Sequence, residues 1–290
     1  RVCSSWVERR GQRMPEGPEI RRVADRLGKL LIDAPLCEVW FAYADLARQA
    51  PRLTESRVVA VDSWGKALLI TFADDQVLYS HNQLYGVWKV HRREREPATG
   101  RVLRARLVTP THAASLYSAS DISLWTRDTL GQQPFLARLG PDLLTHDVSP
   151  EQIVERLMLP AFRRRGLGGL LLDQGFYAGI GNYLRSEILF YAGLSPKITA
   201  ERLSPRKRRR LAQMMLRTVA QAYHEAGVTN RPTWRRRLQR QGLKRARWRH
   251  AVFNRAGLSC HACGSEIVKL MVTSRRLYRC PHCQPDTPAA

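Results

Sequence analysis

The chain has 290 residues, with 48 Lys and Arg against 25 Asp and Glu, giving a net charge of +23 and a pI near 10.8. This length allows roughly two or three domains and a sizeable core, and the charge points to a polyanionic partner, nucleic acid before a membrane surface. No apolar run reaches the roughly 18 residues that span a bilayer, which excludes a helical membrane protein. Of the 6 cysteines, Cys3 and Cys37 stand apart and four form two close pairs near the C-terminus. That usage fits a reducing cytoplasm and one metal site better than a disulfide scaffold.

Residues 1–13 hold Arg1, Arg9, Arg10 and Arg13 with no starting Met and no signal-length apolar core, and are expected to be a non-native or processed extension. Met14-Pro15-Glu16-Gly17-Pro18-Glu19 follows. Trimming after Met14 would leave Pro15 as a free secondary amine. An α-amino group titrates near 7.7–8.0, against about 10.4 for lysine, so far more of it is neutral at pH 7. Its attack on a sugar C1′ gives an iminium, a cation that serves as an electron sink for elimination. While residues 1–14 stay attached, the same nitrogen is an amide without a nucleophilic lone pair. Glu16 and Glu19 are placed for proton transfer. They suit equally well the positive end of a helix whose first turn contains Pro18.

From Pro18 to about Ile32, Ile20, Val23, Ala24, Leu27, Leu30 and Leu31 recur at helical spacing. Short β-branched and aromatic runs at residues 58–61, 67–72, 77–79, 87–90, 102–103 and 115–117 then predict an antiparallel sandwich or barrel reaching to about Ser123. Lys66 falls at a hairpin tip between two of these strands, as a solvated charge or as a functional one. His81 to Gly86 forms another tip. It is either a plain turn or a wedge that fills the space left by an extruded base.

Beyond the Gly140-Pro141-Asp142 turn the pattern becomes helical: Ser149 caps a helix to about Leu159, and helices are predicted over 168–178, 183–191 and 204–225. Ala178-Gly179-Ile180-Gly181-Asn182 reads as a helix-to-helix turn or as a phosphate site built of backbone N–H groups. Arg231 to Arg249 is rich in arginine with no acidic residue, which suits salt-dependent backbone contacts and implies partial disorder in the absence of DNA. Cys260-x2-Cys263 and Cys280-x2-Cys283 match a closed tetrahedral zinc site with a hairpin between the pairs. Such a zinc is structural, since no coordination position is left for water. The tip Ser274-Arg275-Arg276 projects two guanidiniums as a phosphate clamp.

Taken together, Met-Pro-Glu-Gly-Pro-Glu-Ile, Trp-Gly-Lys-Ala-Leu-Leu around Lys66, Ser-His-Asn-Gln-Leu-Tyr-Gly-Val-Trp around Leu84, Gly-Ile-Gly-Asn-Tyr-Leu-Arg around Asn182 and the cysteine hairpin with Thr-Ser-Arg occur in one order. From Met14 to about Gln284 the chain resembles the formamidopyrimidine-DNA glycosylase and endonuclease VIII family, on the endonuclease VIII branch. The resemblance implies an α+β, two-lobed fold. Its parts would be a catalytic β-sandwich domain with an N-terminal helix (14–130), a hinge (131–145), a helix-two-turn-helix domain with the basic segment (146–250) and a zinc finger (251–290), with DNA between the lobes. It implies Pro15 as Schiff-base nucleophile, Glu16 as the acid for sugar ring opening, Glu19 as support and Lys66 beside a phosphate. Asn182 and Arg275 would hold flanking phosphates, while Gln83, Leu84 and Tyr85 enter the vacated stack. One structural Zn²⁺, duplex DNA with oxidised bases or abasic sites, and a monomer in a bacterial-type cytoplasm complete the expectation. The implied reaction is excision of an oxidised pyrimidine followed by β,δ-elimination. Oxidised purines, a non-catalytic zinc-finger damage binder and a metal-water nuclease are the alternatives.

Overall fold

The computed structural model describes residues 15–286; the extension assigned to residues 1–13 lies outside them. Two compact units are present, one built mainly from residues 23–62 and 67–130, the other from residues 16–22, 63–66 and the chain from Gly131 onward.

Helix α1 (Gly17–Leu31) contributes to both units. Its stripe of Ile20, Ala24, Leu27 and Leu31 is fully buried, as the helical spacing of these residues predicts. In the first unit β1 (Glu38–Phe41) and the short helices α2 (Ala44–Ala47) and α3 (Ala50–Glu55) precede β2 (Val58–Trp64), β3 (Ala67–Phe72), β4 (Gln76–His81) and β5 (Val87–Arg92). β6 (Leu103–Val108), β7 (His112–Tyr117) and β8 (Asp121–Thr126) complete it. They form two four-stranded sheets, in the orders β1-β6-β7-β5 and β2-β3-β4-β8. Strands β3 and β7 are buried on both faces, which explains why β3 reads as a nearly continuous apolar run rather than an alternating one. Strands β1 and β8 carry no such run. Both are edge strands, and β8 is half-buried along nearly its whole length.

The second unit is helical. Helix α4 (Pro150–Met158) opens with the expected cap: Ser149 Oγ accepts the Gln152 N–H at 3.2 Å while Gln152 Oε1 accepts the Ser149 N–H at 2.8 Å. The helix predicted over 168–178 is one turn only, α5 (Leu167–Leu170). Asp173 ends any continuation by accepting the Gly175 N–H on its own side chain at 2.8 Å, a local bond that competes with the helical ladder. Helix α6 (Asn182–Ala192) is the centre of this unit, enclosed by apolar residues of α4, α5 and α7 (Pro205–His224).

Arg185, Ser186 and Glu187 of α6 are buried although polar. Glu187, wholly inside, accepts the N–H groups of Ala251, Val252 and Phe253 at 2.7–2.9 Å and the Thr229 hydroxyl at 2.7 Å. This ties down the chain that follows the basic segment. The segment itself is ordered as α8 (Pro232–Arg240) and α9 (Arg245–Trp248), contrary to the expectation of disorder. Its partners lie elsewhere in the chain: Arg235 pairs with Glu225, and Arg231 stacks on Tyr191 as well as on Trp234.

Strands β9 (Val268–Val272) and β10 (Arg275–Arg279) form the C-terminal hairpin, joined by Thr273 and Ser274, both at positive φ. That is the two-residue turn whose twist matches a hairpin. Among the described residues no helix is long and apolar enough to cross a membrane.

Candidate active site and metal centre

Three glycines bring the N-terminal residues to α6. Gly17 donates its N–H to the Gly179 carbonyl at 2.9 Å, and a Cβ at Gly17 would stand 3.0 Å from the Gly179 Cα. A Cβ at Gly65 would meet Ala178 at 2.9 Å. The head of α1, the β2–β3 turn and the entry to α6 therefore touch backbone to backbone. Asp142, which the sequence offers only as part of the Gly140-Pro141-Asp142 turn, pins Gly65: it accepts the Gly65 N–H at 2.7 Å and the Leu144 N–H at 2.8 Å.

The consequence falls on Glu16, which is 5 % exposed. Its Oε2 accepts the N–H groups of Gly181 (2.8 Å) and Leu184 (3.2 Å), and Oε1 accepts that of Tyr183 (2.8 Å). The N–H groups anticipated as a phosphate cradle are thus occupied by the chain's own carboxyl. Sequence could not show this, because the partners are far apart in the chain. Burial pushes the Glu16 carboxyl up to about 7, with Lys66 acting against the shift and Glu19 adding to it. Oε1 accepts a single N–H and is the oxygen with room for a proton.

Glu19 returns to the Glu16 N–H (3.2 Å), as the third residue of a capping box does, and accepts the Tyr183 hydroxyl at 3.0–3.1 Å. Burial raises its pKa, opposed by the Tyr183 and Glu16 hydrogen bonds and by Arg249. Lys66 is half-buried rather than solvated: burial lowers its pKa, Glu16 raises it and Arg275 lowers it.

Arg185 was missed. It is wholly buried, donates to the carbonyls of Gly168 (2.7 Å), Arg275 (3.1 Å) and Arg276 (3.2 Å), and reaches Asn182 Oδ1 at 3.3 Å. One guanidinium therefore holds Asn182 and the Arg275 backbone together, and leaves the Arg275 side chain exposed. In the sequence it stands only as the last residue of the Gly-Ile-Gly-Asn-Tyr-Leu-Arg run, with no role of its own. Gln83, Leu84 and Tyr85 belong to the other unit, on the β4–β5 loop. Leu84 is 52 % and Tyr85 61 % exposed, Gln83 accepts the Ser120 hydroxyl at 3.1 Å, and the loop closes through the Gly86 N–H and the Asn82 carbonyl at 2.7 Å.

The sulfurs of Cys260, Cys263, Cys280 and Cys283 all lie within 4.8 Å of one another, with the Cys260–Cys283 pair at 3.9 Å and Cys263–Cys280 at 3.5 Å. Four thiolates 2.3 Å from a tetrahedral zinc stand about 3.8 Å apart, so the donor set fits the metal. With four protein ligands the zinc is structural. Cys260 and Cys280 share a small core with Phe190 of α6, and Ser186 Oγ accepts the Tyr278 N–H at 3.2 Å, so the hairpin is seated on the helix that holds Glu16.

A Cβ at Gly181 would lie 2.4 Å from the Glu16 Cδ. Gly181→Ala must therefore displace the carboxyl, and a misplacement of about 1 Å costs roughly a hundredfold in rate. Single-turnover base release should fall by that factor while zinc content stays at wild-type level.

A model of the formamidopyrimidine-DNA glycosylase N-terminal domain matches residues 14–120, and one of the formamidopyrimidine-DNA glycosylase H2TH domain matches residues 139–232. The chain is 47 % identical over 271 residues to Endonuclease 8 of Pectobacterium atrosepticum, covering 93 % of this chain and 100 % of that protein. Identity to Endonuclease 8 of Escherichia coli O1:K1 is 45 % with the same coverage. The fold is similar to Lactococcus lactis Fpg solved in complex with abasic-site DNA, with a TM-score of 0.75 and 20 % identity over 93 % of this chain and 99 % of that one. The helix-borne carboxyls, the two matched domains and the four-cysteine hairpin have one common explanation: the chain belongs to the formamidopyrimidine-DNA glycosylase and endonuclease VIII family of DNA glycosylases and abasic-site lyases, on its endonuclease 8 branch.

Proposed function

We propose that the chain, processed to begin at Pro15, removes oxidised pyrimidines from duplex DNA and cuts the strand by β,δ-elimination. The observation that carries this is Glu16: a buried carboxyl, raised to about 7, fixed on the helix start next to the one residue whose amine can become terminal. A carboxyl tuned to that range can hold a proton at neutral pH and donate it.

In the proposed sequence the damaged nucleotide leaves the stack, and Leu84 and Tyr85 take its place. The Pro15 nitrogen attacks C1′. The C1′–base bond breaks, and the base departs with the electron pair and takes up the proton that the Pro15 nitrogen gives up. Glu16 protonates the ring oxygen as the C1′–O4′ bond opens, leaving a C1′ iminium. The iminium acidifies the C2′ proton. Its removal expels the 3′ phosphate, a second elimination expels the 5′ phosphate, and water at C1′ releases Pro15. Lys66 and Arg275 supply positive charge for the phosphates beside the lesion, and Asn182 a hydrogen-bonding group. Zinc, when bound, braces the hairpin that carries Arg275 and takes no part in proton transfer. A reducing bacterial-type cytoplasm, with the protein held on the nucleoid by its charge and acting as a monomer, suits the free thiols and the basicity.

The test is single-turnover cleavage of a 5′-labelled duplex with one oxidised pyrimidine. Fragments ending in 3′ phosphate, unaffected by brief EDTA treatment, support the proposal. Metal-dependent cleavage, or preference for an oxidised purine in the same sequence, would replace it with one of the alternatives.

The basic segment supplies affinity rather than sequence choice. Arg236, Arg237, Arg240, Lys244 and Arg247 are exposed, and each phosphate that goes unneutralised reduces the slope of log K against log salt by about 0.9. Replacing all five by Ala should flatten the slope by about 4.5 for damaged and undamaged duplexes alike. An unchanged slope would remove α8 and α9 from the DNA-binding surface.

A further inference from the structure

The arginine-rich segment ends inside the acid site. Arg249 follows α9, and its carbonyl accepts the N–H groups of Thr229 (2.9 Å) and Asn230 (3.1 Å), so its backbone is fixed before its side chain makes any contact. The side chain turns inward and is 18 % exposed. Nε and Nη2 donate to the Gly227 carbonyl at 3.2 and 3.0 Å, the guanidinium lies 6.0 Å from the Tyr183 ring centre, and Nη2 stands 3.9 Å from Glu19 Oε1. Gly227 makes this approach possible. It sits at φ +80°, and a Cβ there would come within 2.6 Å of Glu19 Oε1 and 2.7 Å of Arg249 Nη2. Conformation and space both call for glycine.

We propose that Arg249 is a positioning residue: it holds Glu19 against the Tyr183 hydroxyl and the Glu16 N–H, and so couples the basic segment to the acid at the head of α1. This rests on the reading of Glu16 as the acid. Residues 233 onward lie outside both matched domains, so the coupling is carried by a part of the chain that those models do not cover.

The charged and titratable groups around Glu19 are Glu16 just before its own helix, Tyr183 on α6, Arg245 on α9 and Arg249 just after it, with Arg22 and Arg235 further cations beside Arg245; Lys66 faces Glu16 and favours its ionised form. Two neighbouring buried carboxyls resist ionising together. Arg249 favours the ionised form of Glu19, and an ionised Glu19 favours the proton on Glu16. Without it Glu19 takes up a proton more readily, its repulsion of Glu16 is lost, and Glu16 ionises at lower pH.

The experiment measures the pH dependence of single-turnover base release for Arg249→Gln, Arg249→Lys and Tyr183→Phe, each normalised to its own maximum. In the wild-type protein the rate should fall as pH rises through about 7. In Arg249→Gln that fall should begin about one pH unit lower, a roughly tenfold loss on the limb, in the rate of the bound complex and not in KM. Tyr183→Phe, which removes the hydroxyl that donates to Glu19, should move it in the same direction. Arg249→Lys, which keeps the charge, should leave it nearer the wild-type position. Melting temperature and zinc content establish that each variant is folded. A limb that stays in place, with the loss appearing in KM and salt slope, would make Arg249 a phosphate ligand and overturn the proposal; so would an equal loss at every pH. Failure of the underlying reading looks different: Glu16→Gln would then release the base at the wild-type rate.

Discussion

A chain beginning at Pro15 is expected to form a borohydride-stable adduct with a duplex carrying one oxidised pyrimidine, and a chain retaining residues 1–14 is expected to form none. The reason is electronic. An amide nitrogen delocalises its lone pair into the carbonyl, whereas a terminal amine with a pKa near 8 is partly neutral at pH 7 and attacks C1′ directly. With Pro15 as the proposed nucleophile, the sequence Met14-Pro15 would tie the reaction to one processing step. Deleting a covalent nucleophile while leaving its neighbours in place costs up to about 10⁶-fold in rate, so base release and strand cleavage should both drop to background in the longer chain. Borohydride reduces the iminium and captures it, and tryptic mass spectrometry should find the sugar on Pro15. Equal trapping by both chains, with the adduct on Lys66, would transfer the nucleophile to the β2–β3 turn.

Loss of zinc should have the second largest effect, and it should act through folding. Structural zinc sites contribute roughly 10–16 kcal/mol to the modules that depend on them, as much as the whole stability of an ordinary domain. Cys260 and Cys280 are buried and lie in the small core that includes Phe190 and Tyr278. Cys260→Ser or exhaustive chelation should therefore release one zinc per chain, unfold the 268–279 hairpin, free the Arg275 backbone from Arg185 and abolish cleavage of damaged duplex. The decline in activity should follow zinc release measured by elemental analysis. Full activity in zinc-free protein would show that the thiol cluster holds the hairpin unaided.

Some parts of the site were legible because they are local. A proline that can become terminal, two carboxyls within one helical turn, and cysteines two apart in pairs are chemical statements about adjacent residues, and so are the capped start of α4 and the apolar stripe of α1. The branch of the family could be recognised for the same reason, since its motifs are short and ordered along the chain. The error over 168–178 was also local in origin. Apolar residues around glycines suggested a helix, and the Asp173 side chain took the N–H that the helix needed.

Long-range contacts decided the rest. Glu16 and the N–H groups of Gly181, Tyr183 and Leu184 are far apart in sequence, and only the fold brings them within 2.8–3.2 Å and converts an anticipated phosphate cradle into the socket of a buried carboxyl. Arg185, Asp142 and Arg249 fall within a quoted motif, a turn and the basic segment, and Glu187 within none, but burial and distant partners give each its role. The sequence determined which functional groups this protein has and the order in which the chain presents them, because bond chemistry and helical or strand periodicity are local properties. Tertiary structure alone decided which groups lose water and which donors face them, and those two conditions set the pKa of a carboxyl.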